Sequence, residues 1–223
     1  MPTERILVVA NSRKTGGHCV AGVSLPSRRL VRPVSPFGDG ALSAGECLVQ
    51  GRTPRLLDIV TFSHQGSAPD PAQPENLLIA DEPWQREGSA DPDQALKLLL
   101  DLAEHGPTLF VNRGRAVPAH VAAAGLSASL LIIEPQDLRF GHGAQADAHA
   151  GSPRAIFRFG GQAWSLPLTD FDVGPKVLRL PEGLHDWSDL GYEPPRRVML
   201  TVSLGSAYDG WHHKLVAGVI RFA

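Results

Sequence analysis

The side chains best suited to ligand chemistry cluster at residues 11–18, close to the start of the chain. They follow an apolar, β-branched run at residues 6–10, which predicts a buried strand, so the polar groups lie where that strand ends. Amide, hydroxyl and cationic groups beside two glycines could hold a phosphate or a nucleic-acid backbone. The glycine and lysine spacing of a P-loop is absent, and an ordinary polar turn is the alternative. The candidates are Asn11, Ser12, Arg13, Lys14 and His18.

Further candidates for phosphate and base contacts lie in two other parts of the chain. Arg29 and Arg32 belong to a short alternating strand and would pair with phosphates. Trp211 follows an Asp-Gly turn, where an exposed ring could stack on a nucleic-acid base. His213 and Lys214 follow it directly and could contribute polar contacts. We therefore predict that these five residues and the N-terminal cluster bind nucleic acid or phosphate.

Nine histidines raise the question of a metal centre. His142, Asp147 and His149 lie in a segment rich in glycine and alanine, which would have to fold around an ion to bind it. Neither a Cys pair nor a His-Glu-x-x-His motif supports such a site. We expect no metal site and no cofactor.

Histidines near cations also raise the question of catalysis. His18, His212 or His213 could act as acid and base groups near Arg13 and Lys14 in a nuclease or nucleotide hydrolase. That reading requires these side chains to converge in one pocket. The nucleophile motif Gly-x-Ser-x-Gly is absent. We expect no catalytic residue and keep the hydrolase as an alternative.

The elements that must position these residues are mostly β-strands. Asp91 is a good N-cap, with Pro92 at the first helical position, so a helix is expected to begin there and to end at Gly106-Pro107. A shorter helix is expected over residues 118–124. The pattern therefore predicts a mainly β (α+β) chain. The predicted strands cover residues 6–10, 19–25, 29–34, 56–62, 130–134, 154–160, 163–168, 197–203 and 214–222.

Composition and charge restrict the choice of partner. The 223 residues carry a net charge of −2, which gives no general support to nucleic-acid binding. Residues 1–35, however, have a net charge of +5, residues 36–106 have −8 and residues 107–223 have +1, so a polyanion site is expected on the first section. The two cysteines, and the absence of a long apolar run, predict a cytoplasmic protein without disulfides or a membrane span.

Several motifs together resemble the bacterial family of dual OB-containing domains. The resemblance runs from residue 6 to residue 220. It implies two OB-like β-barrels and a role in binding nucleic acid or nucleotides, including association with prokaryotic defence systems, but brings no catalytic residues. The motifs are Asn-Ser-Arg-Lys at 11–14, Gly-His-Cys-Val-Ala-Gly at 17–22, Arg-Leu-Val-Arg-Pro-Val-Ser at 29–35, Gln-Pro-Glu-Asn at 73–76, Ser-Leu-Gly at 203–205 and Lys-Leu-Val-Ala-Gly-Val-Ile at 214–220.

The residues and the resemblance lead to one division of the chain and one leading function. We expect a first OB-like section at residues 1–90, a helical connecting segment at 91–125 and a second OB-like section at 126–223. The leading function is a non-catalytic module that binds nucleic acid, single-stranded in preference, or a nucleotide, for example as a sensor in a defence system. The alternatives are the hydrolase and an adaptor that binds a protein partner.

Overall fold

The computed structural model describes residues 1–68, 70–143 and 151–223 and is mainly β, with 49% strand and 11% helix. The helices are α1 (Pro92–Asp101), α2 (Ala119–Ala123) and α3 (Val173–Val177). The strands are β1 (Thr3–Lys14), β2 (Gly17–Ser24), β3 (Leu30–Val34), β4 (Asp58–Ser67), β5 (Asn76–Ile79), β6 (Gln85–Ser89), β7 (Ala116–Pro118), β8 (Leu130–Ile133), β9 (Gln136–His142), β10 (Arg154–Phe159), β11 (Gln162–Pro167), β12 (Gly183–His185), β13 (Arg197–Tyr208) and β14 (Trp211–Phe222).

The first five strands form a closed barrel. Around the barrel they run in the order β1-β2-β3-β5-β4, and β4 pairs again with β1. All neighbours are antiparallel except β3 and β5, which are parallel. Ile6 and Val8 of β1 point into the barrel core, whereas Leu7 and Val9 join a second apolar cluster outside it. Both faces of β1 are therefore buried, which explains why the apolar run at residues 6–10 does not alternate.

The second unit is a curled half-barrel built from two sheets. One sheet has the order β11-β10-β9-β12 and the other β7-β14-β13-β8. A parallel bridge from Leu168 to Val216 joins β11 to β14, and only two residues separate β8 from β9. The path β8/β9-β10-β11-β14-β13 therefore repeats the strand order of the first barrel. The sheets share one apolar core, which includes Phe140, Phe157 and Trp164.

The two barrels pack directly against each other, with α1 over the edge of the contact. Leu7 and Val9 of the first barrel cluster with Met199 and Ile220 of the second and with Leu99 of α1. A side chain on Gly218 would meet the Val9 carbonyl oxygen at 2.2 Å, so only glycine lets β14 come this close to β1. The hydroxyl of Thr201 donates a hydrogen bond to the same oxygen at 2.6 Å.

The predicted start of the first helix is confirmed, whereas α1 ends at Asp101, before the predicted end at Gly106-Pro107. The carboxylate of Asp91 accepts a hydrogen bond from the backbone N–H of Gln94 at 3.0 Å, as an N-cap does, and Pro92 opens α1. The predicted connecting segment, residues 91–125, also contains β7, which pairs with β14 of the second unit. Among the helices of the described residues, none is both long and apolar enough to cross a bilayer.

Candidate nucleic-acid interface

The predicted N-terminal cluster lies where the β1–β2 hairpin leaves the first barrel. Asn11 and Ser12 are buried and serve the fold. The amide of Asn11 donates to the carbonyl oxygen of Pro54 at 2.8 Å and accepts from Nδ1 of His18 at 2.9 Å, and the Ser12 hydroxyl donates to the Cys19 carbonyl oxygen at 3.3 Å. These two side chains therefore hold the hairpin in place, and Asn11 also lines the cleft between the barrels.

Arg13, Lys14 and His18 are more accessible than Asn11 and Ser12. The His18 ring stacks on Phe171 of the second unit, with centroids 4.4 Å apart, and burial lowers the pKa of its imidazole. The guanidinium carbon of Arg13 lies 5.8 Å from the centre of the same Phe171 ring. Lys14 donates a hydrogen bond to the backbone of Asp39 and lies 3.7 Å from its carboxylate. Only Arg13 presents an exposed cation without an ion pair among the described residues of this hairpin.

The positive charge of residues 1–35 is largely neutralised by the fold. Four of its six cations form ion pairs with acids of the negative section: Arg5 with Glu87 at 2.7 Å, Lys14 with Asp39 at 3.7 Å, Arg28 with Asp101 at 3.2 Å and Arg32 with Glu75 at 3.9 Å. Arg29 is exposed in the turn before β3. The sequence charges of +5 and −8 therefore partly offset each other in space.

Arg32, a predicted phosphate-binding residue, lies between the barrels and is only 2% exposed. Its guanidinium donates to the side chains of Asn76, Ser129 and Ser203 at 3.0–3.1 Å. Glu75 accepts from the backbone N–H and the hydroxyl of Ser129, both at 2.6 Å. The sequence motifs around Arg32, Glu75 and Ser203 thus meet in one polar network that joins the two units.

Lys214 is also buried, at 0% exposure, beneath the surface where its sequence neighbours Trp211 and His213 lie. Its ammonium donates to the backbone oxygen and to the side-chain oxygen of Asn112, both at 2.8 Å, and lies 5.0 Å from the centre of the Trp164 ring. Burial lowers the pKa of this lysine to about 8. Lys214 therefore holds the segment around Asn112 in place.

Two exposed aromatic rings lie on the β13–β14 hairpin. Tyr208 is 75% exposed, Trp211 is 46% exposed, and the two residues form a cross-strand pair beside the turn. Asp209 and Gly210 both have positive φ, as a two-residue hairpin turn requires. His213 is exposed two residues further along β14 and therefore lies on the same face of the strand as Trp211.

Two exposed arginines lie in the segment that leads into β7, the strand that pairs with β14. Arg115 precedes β7, and its carbonyl oxygen accepts the backbone N–H of Lys214 at 2.9 Å. The carbonyl oxygen of Arg113 accepts from the Gln162 side chain at 2.9 Å, so this segment runs between the β10–β11 and β13–β14 hairpins. We call this group the Trp211 surface, and its members are Arg113, Arg115, Tyr208, Trp211 and His213.

Sequence reasoning found Trp211 and His213 of this surface but missed Arg113, Arg115 and Tyr208. The available signal was the Arg-Gly-Arg triplet at residues 113–115 in an irregular segment and an aromatic residue on each side of the Asp-Gly turn. The pairing of β7 with β14 brings the triplet to the hairpin, and this pairing cannot be inferred from the sequence.

The barrels differ in which outer face is open. OB barrels bind ligands on the face of their second and third strands and on adjoining loops, including the loop between the fourth and fifth strands. In the first barrel, Ala21 and Val23 of the second strand pack against the second unit. In the second unit the corresponding strands, β10 and β11, expose Arg158 and Ala163, and the loop between the fourth and fifth strands carries Trp211. The Trp211 surface therefore occupies an OB ligand position that remains open.

The histidines named for a hydrolase lie in different places, and only His18 is near Arg13, its cross-strand partner. His212 is buried and donates to the carbonyl oxygen of Gly205 at 2.9 Å, whereas His18 lies on another hairpin against Phe171. Across the described ranges, no three His, Cys, Asp or Glu side chains group as a metal site would require. His142 contacts the Leu180 carbonyl oxygen, and Asp147 and His149 lie outside the described residues.

Comparison with known proteins agrees with this architecture. A family model described as the dual OB-containing domain matches residues 4–219. No curated protein and no solved structure matched the chain. OB barrels are typical of nucleic-acid-binding modules. Because the match covers nearly the whole chain, and the fold is a closed barrel followed by a half-barrel of the same strand order, the chain belongs to the family of dual OB-containing domains.

Proposed function

We propose that this chain binds single-stranded nucleic acid on the Trp211 surface and carries out no chemistry there. The observation that supports the proposal is a pair of exposed aromatic rings, Tyr208 and Trp211, on a hairpin that pairs with β7, the strand that follows the exposed arginines Arg113 and Arg115. Rings that stack on bases and cations that meet the backbone are the two components of binding to unpaired strands. The sensor role in a defence system stays a prediction from the resemblance, and the section boundaries at residues 90 and 125 also stay a prediction.

The aromatic pair is suited to bases that are not already stacked in a duplex. A two-residue turn holds Tyr208 opposite Trp211, so both rings are presented without ordering a long loop. Stacking of one base on such a ring contributes about 1–3 kcal/mol. Aromatic residues are also common in protein interfaces, but the neighbouring arginines favour a polyanion over an apolar protein partner.

The arginines supply the part of the binding that depends on salt. Asp209 is the acidic side chain in the turn, whereas Arg113, Arg115 and Arg158 of β10 are all exposed on the adjoining segments. Each phosphate neutralised on a single strand adds about 0.7 to the slope of log affinity against log salt concentration. Losing Arg113 and Arg115 is therefore expected to reduce that slope by about 1.4.

The test is a fluorescence-anisotropy titration of a labelled single strand of about 16 nucleotides with the full chain. Trp211→Ala is expected to weaken binding by about 1–3 kcal/mol, because a stacking ring is lost. The matched control is Phe37→Ala, since Phe37 is an aromatic residue that is 75% exposed on the first barrel. Arg113→Ala is compared in the same way with the exposed Arg179→Ala.

The variants also separate this surface from the N-terminal prediction. If Arg13→Ala and Arg29→Ala weaken binding while Trp211→Ala does not, the site lies on the first barrel and the proposal is wrong. Equal binding of duplex and single strand would also contradict it, because paired bases cannot stack on the hairpin rings. Failure of the folded chain to bind DNA or RNA at micromolar concentration would remove the function itself.

A further inference from the structure

A cleft lies between the two barrels, on a different part of the molecule from the Trp211 surface. Its volume is about 860 Å³, within the range of pockets that hold small molecules. One wall is the segment 53–57 of the first barrel, and the others are segments 170–172, 193–195 and 219–221 of the second unit. Because both units contribute walls, the cleft exists only when the barrels are packed together.

Phe171 is an aromatic wall of this cleft and is held firmly in place. The imidazole of His18 stacks against its ring at 4.4 Å. The backbone N–H of Phe171 donates to the Asn11 carbonyl oxygen at 3.1 Å, and the backbone N–H of Arg13 donates to the carbonyl oxygen of Thr169 at 2.8 Å. A ring that is fixed before binding loses little conformational entropy when a planar ligand stacks on it.

The cleft also offers cations at its margins. Arg55 is exposed on the first-barrel wall, and among the described residues its side chain has neither a hydrogen bond nor an ion pair. Arg221 on the opposite wall stacks on Tyr192 at 3.5 Å and lies 3.7 Å from the carboxylate of Asp172. Arg55 is therefore the lining cation that a phosphate group can pair with at the lowest energetic cost.

The acidic lining residues differ in what they can still bind. Asp170 is buried and accepts backbone N–H groups of Asp172, Val173 and Val219, so its oxygens are occupied. Glu193 is exposed at the margin. Because the cleft is lined by carboxylates as well as arginines, the many phosphates of a long polyanion would be repelled there. A ligand with one anionic group and a planar ring fits this lining better.

We propose that the cleft is a binding site for a nucleoside monophosphate, with the base on Phe171 and the phosphate on Arg55. The apolar lining from Pro54, Leu56 and Ile220 encloses the base and excludes water from the stack. This inference goes beyond the proposed function, because the cleft and the Trp211 surface share no residue.

The test is isothermal titration calorimetry of the full chain with AMP, GMP, CMP and UMP. Phe171→Leu keeps an apolar side chain but removes the ring and is expected to weaken binding by about tenfold. Arg55→Gln, on an exposed side chain, is expected to weaken it by about fivefold. The matched controls are Phe37→Leu and Arg179→Gln, which change exposed residues away from the cleft and are expected to leave affinity unchanged.

The proposal is overturned if Arg55→Gln and Phe171→Leu both bind the nucleotides with the affinity of the wild type. It is also overturned if the wild type gives no heat of binding with any of the four nucleotides at millimolar concentration. If Phe171→Leu does not fold, Arg55→Gln decides alone. Trp211→Ala is expected to bind the nucleotides as the wild type does. A chain that binds oligonucleotides but not nucleotides contradicts only the cleft, and the reverse result contradicts only the proposed function.

Discussion

At the scale of single residues, burial separates the cations that can meet a ligand from those that hold the fold. Arg113 and Arg115 are exposed, whereas Lys214, which directly follows the exposed His213 on β14, is fully buried. Its two hydrogen bonds to Asn112 position the segment that carries both arginines. Lys214 is therefore a positioning residue of the proposed interface, and its buried charge should show in the stability of the protein.

The pKa of Lys214 leads to a prediction about pH. The folded-state pKa of about 8 lies below the ordinary 10.5, so burying the charged lysine costs free energy of folding. The whole of this penalty applies below pH 8, where the lysine is charged in both the folded and the unfolded chain. This penalty disappears as pH rises towards 10.5, where the unfolded chain also loses the proton. The free energy of unfolding of the wild type should therefore rise relative to Lys214→Met by up to about 3 kcal/mol over this range.

Urea denaturation of both proteins at neutral and alkaline pH measures this difference. Taking the difference removes the titration of other groups, which both proteins share. A difference that stays constant with pH would mean that Lys214 keeps its proton in the folded state, and the burial argument for this residue would be wrong.

At the scale of elements, the network around Arg32 joins strands that belong to different barrels. Arg32 lies on β3, Asn76 begins β5, Ser203 lies on β13 and Ser129 directly precedes β8. The charge of this buried arginine is balanced by Glu75, and its two terminal guanidinium nitrogens donate to oxygens, whereas its Nε has no hydrogen-bond partner among the described residues. Removing the arginine leaves the Glu75 carboxylate buried without its counter-charge.

We expect Arg32→Leu to lower the free energy of unfolding by about 3–5 kcal/mol, the usual effect of breaking a buried ion pair. The exposed Arg29→Leu serves as the control and should change stability by less than about 0.5 kcal/mol. Chemical denaturation gives both values, and titration of the folded Arg32→Leu protein should give the wild-type affinity for a single strand. If Arg32→Leu instead has the stability of the wild type but no longer binds a single strand, Arg32 contacts the ligand and this account of its role is wrong.

The elements also show how far a sequence of this kind can be interpreted. The presence of β10, β13 and β14 follows from their apolar, β-branched and aromatic residues, and the start of α1 follows from the N-cap at Asp91. β5 closes the first barrel but has only four residues and lies in a proline-rich stretch, where the pattern predicts an extended connection. β9 was missed because its outer residues are charged and its bulge at Asp137 interrupts the alternation.

At the scale of the whole molecule, the packing of the barrels determines which surfaces remain open. The second strand of the first barrel faces the second unit, and the basic start of the chain pairs with the acidic section that follows it. Neither effect is visible from net charge, because both depend on contacts between distant segments. The prediction of a polyanion site on residues 1–35 therefore gives way to a proposal on the second unit.

The repeated tetrapeptide Val-Ala-Gly-Val illustrates the same point. Its two copies, at residues 20–23 and 216–219, lie on β2 and β14. These are different positions of the barrel path, so the copies do not mark equivalent strands. Each glycine instead lets its strand approach β1: a side chain on Gly22 would meet Ile6, and one on Gly218 would meet the Val9 backbone. Both glycines therefore serve close packing against β1, which belongs to the first barrel.

The most direct test of the central claim is a tryptophan-fluorescence titration with an unlabelled single strand. Trp84 and Trp164 are buried and Trp187 is half-buried. Trp211 is exposed, so it is the tryptophan whose fluorescence a bound base should quench. We predict saturable quenching in the wild type and its loss in Trp211→Phe, which keeps a stacking ring and should still bind by anisotropy. Equal quenching in Trp211→Phe, or unchanged wild-type emission when anisotropy shows saturation, would contradict the claim that nucleic acid binds at Trp211.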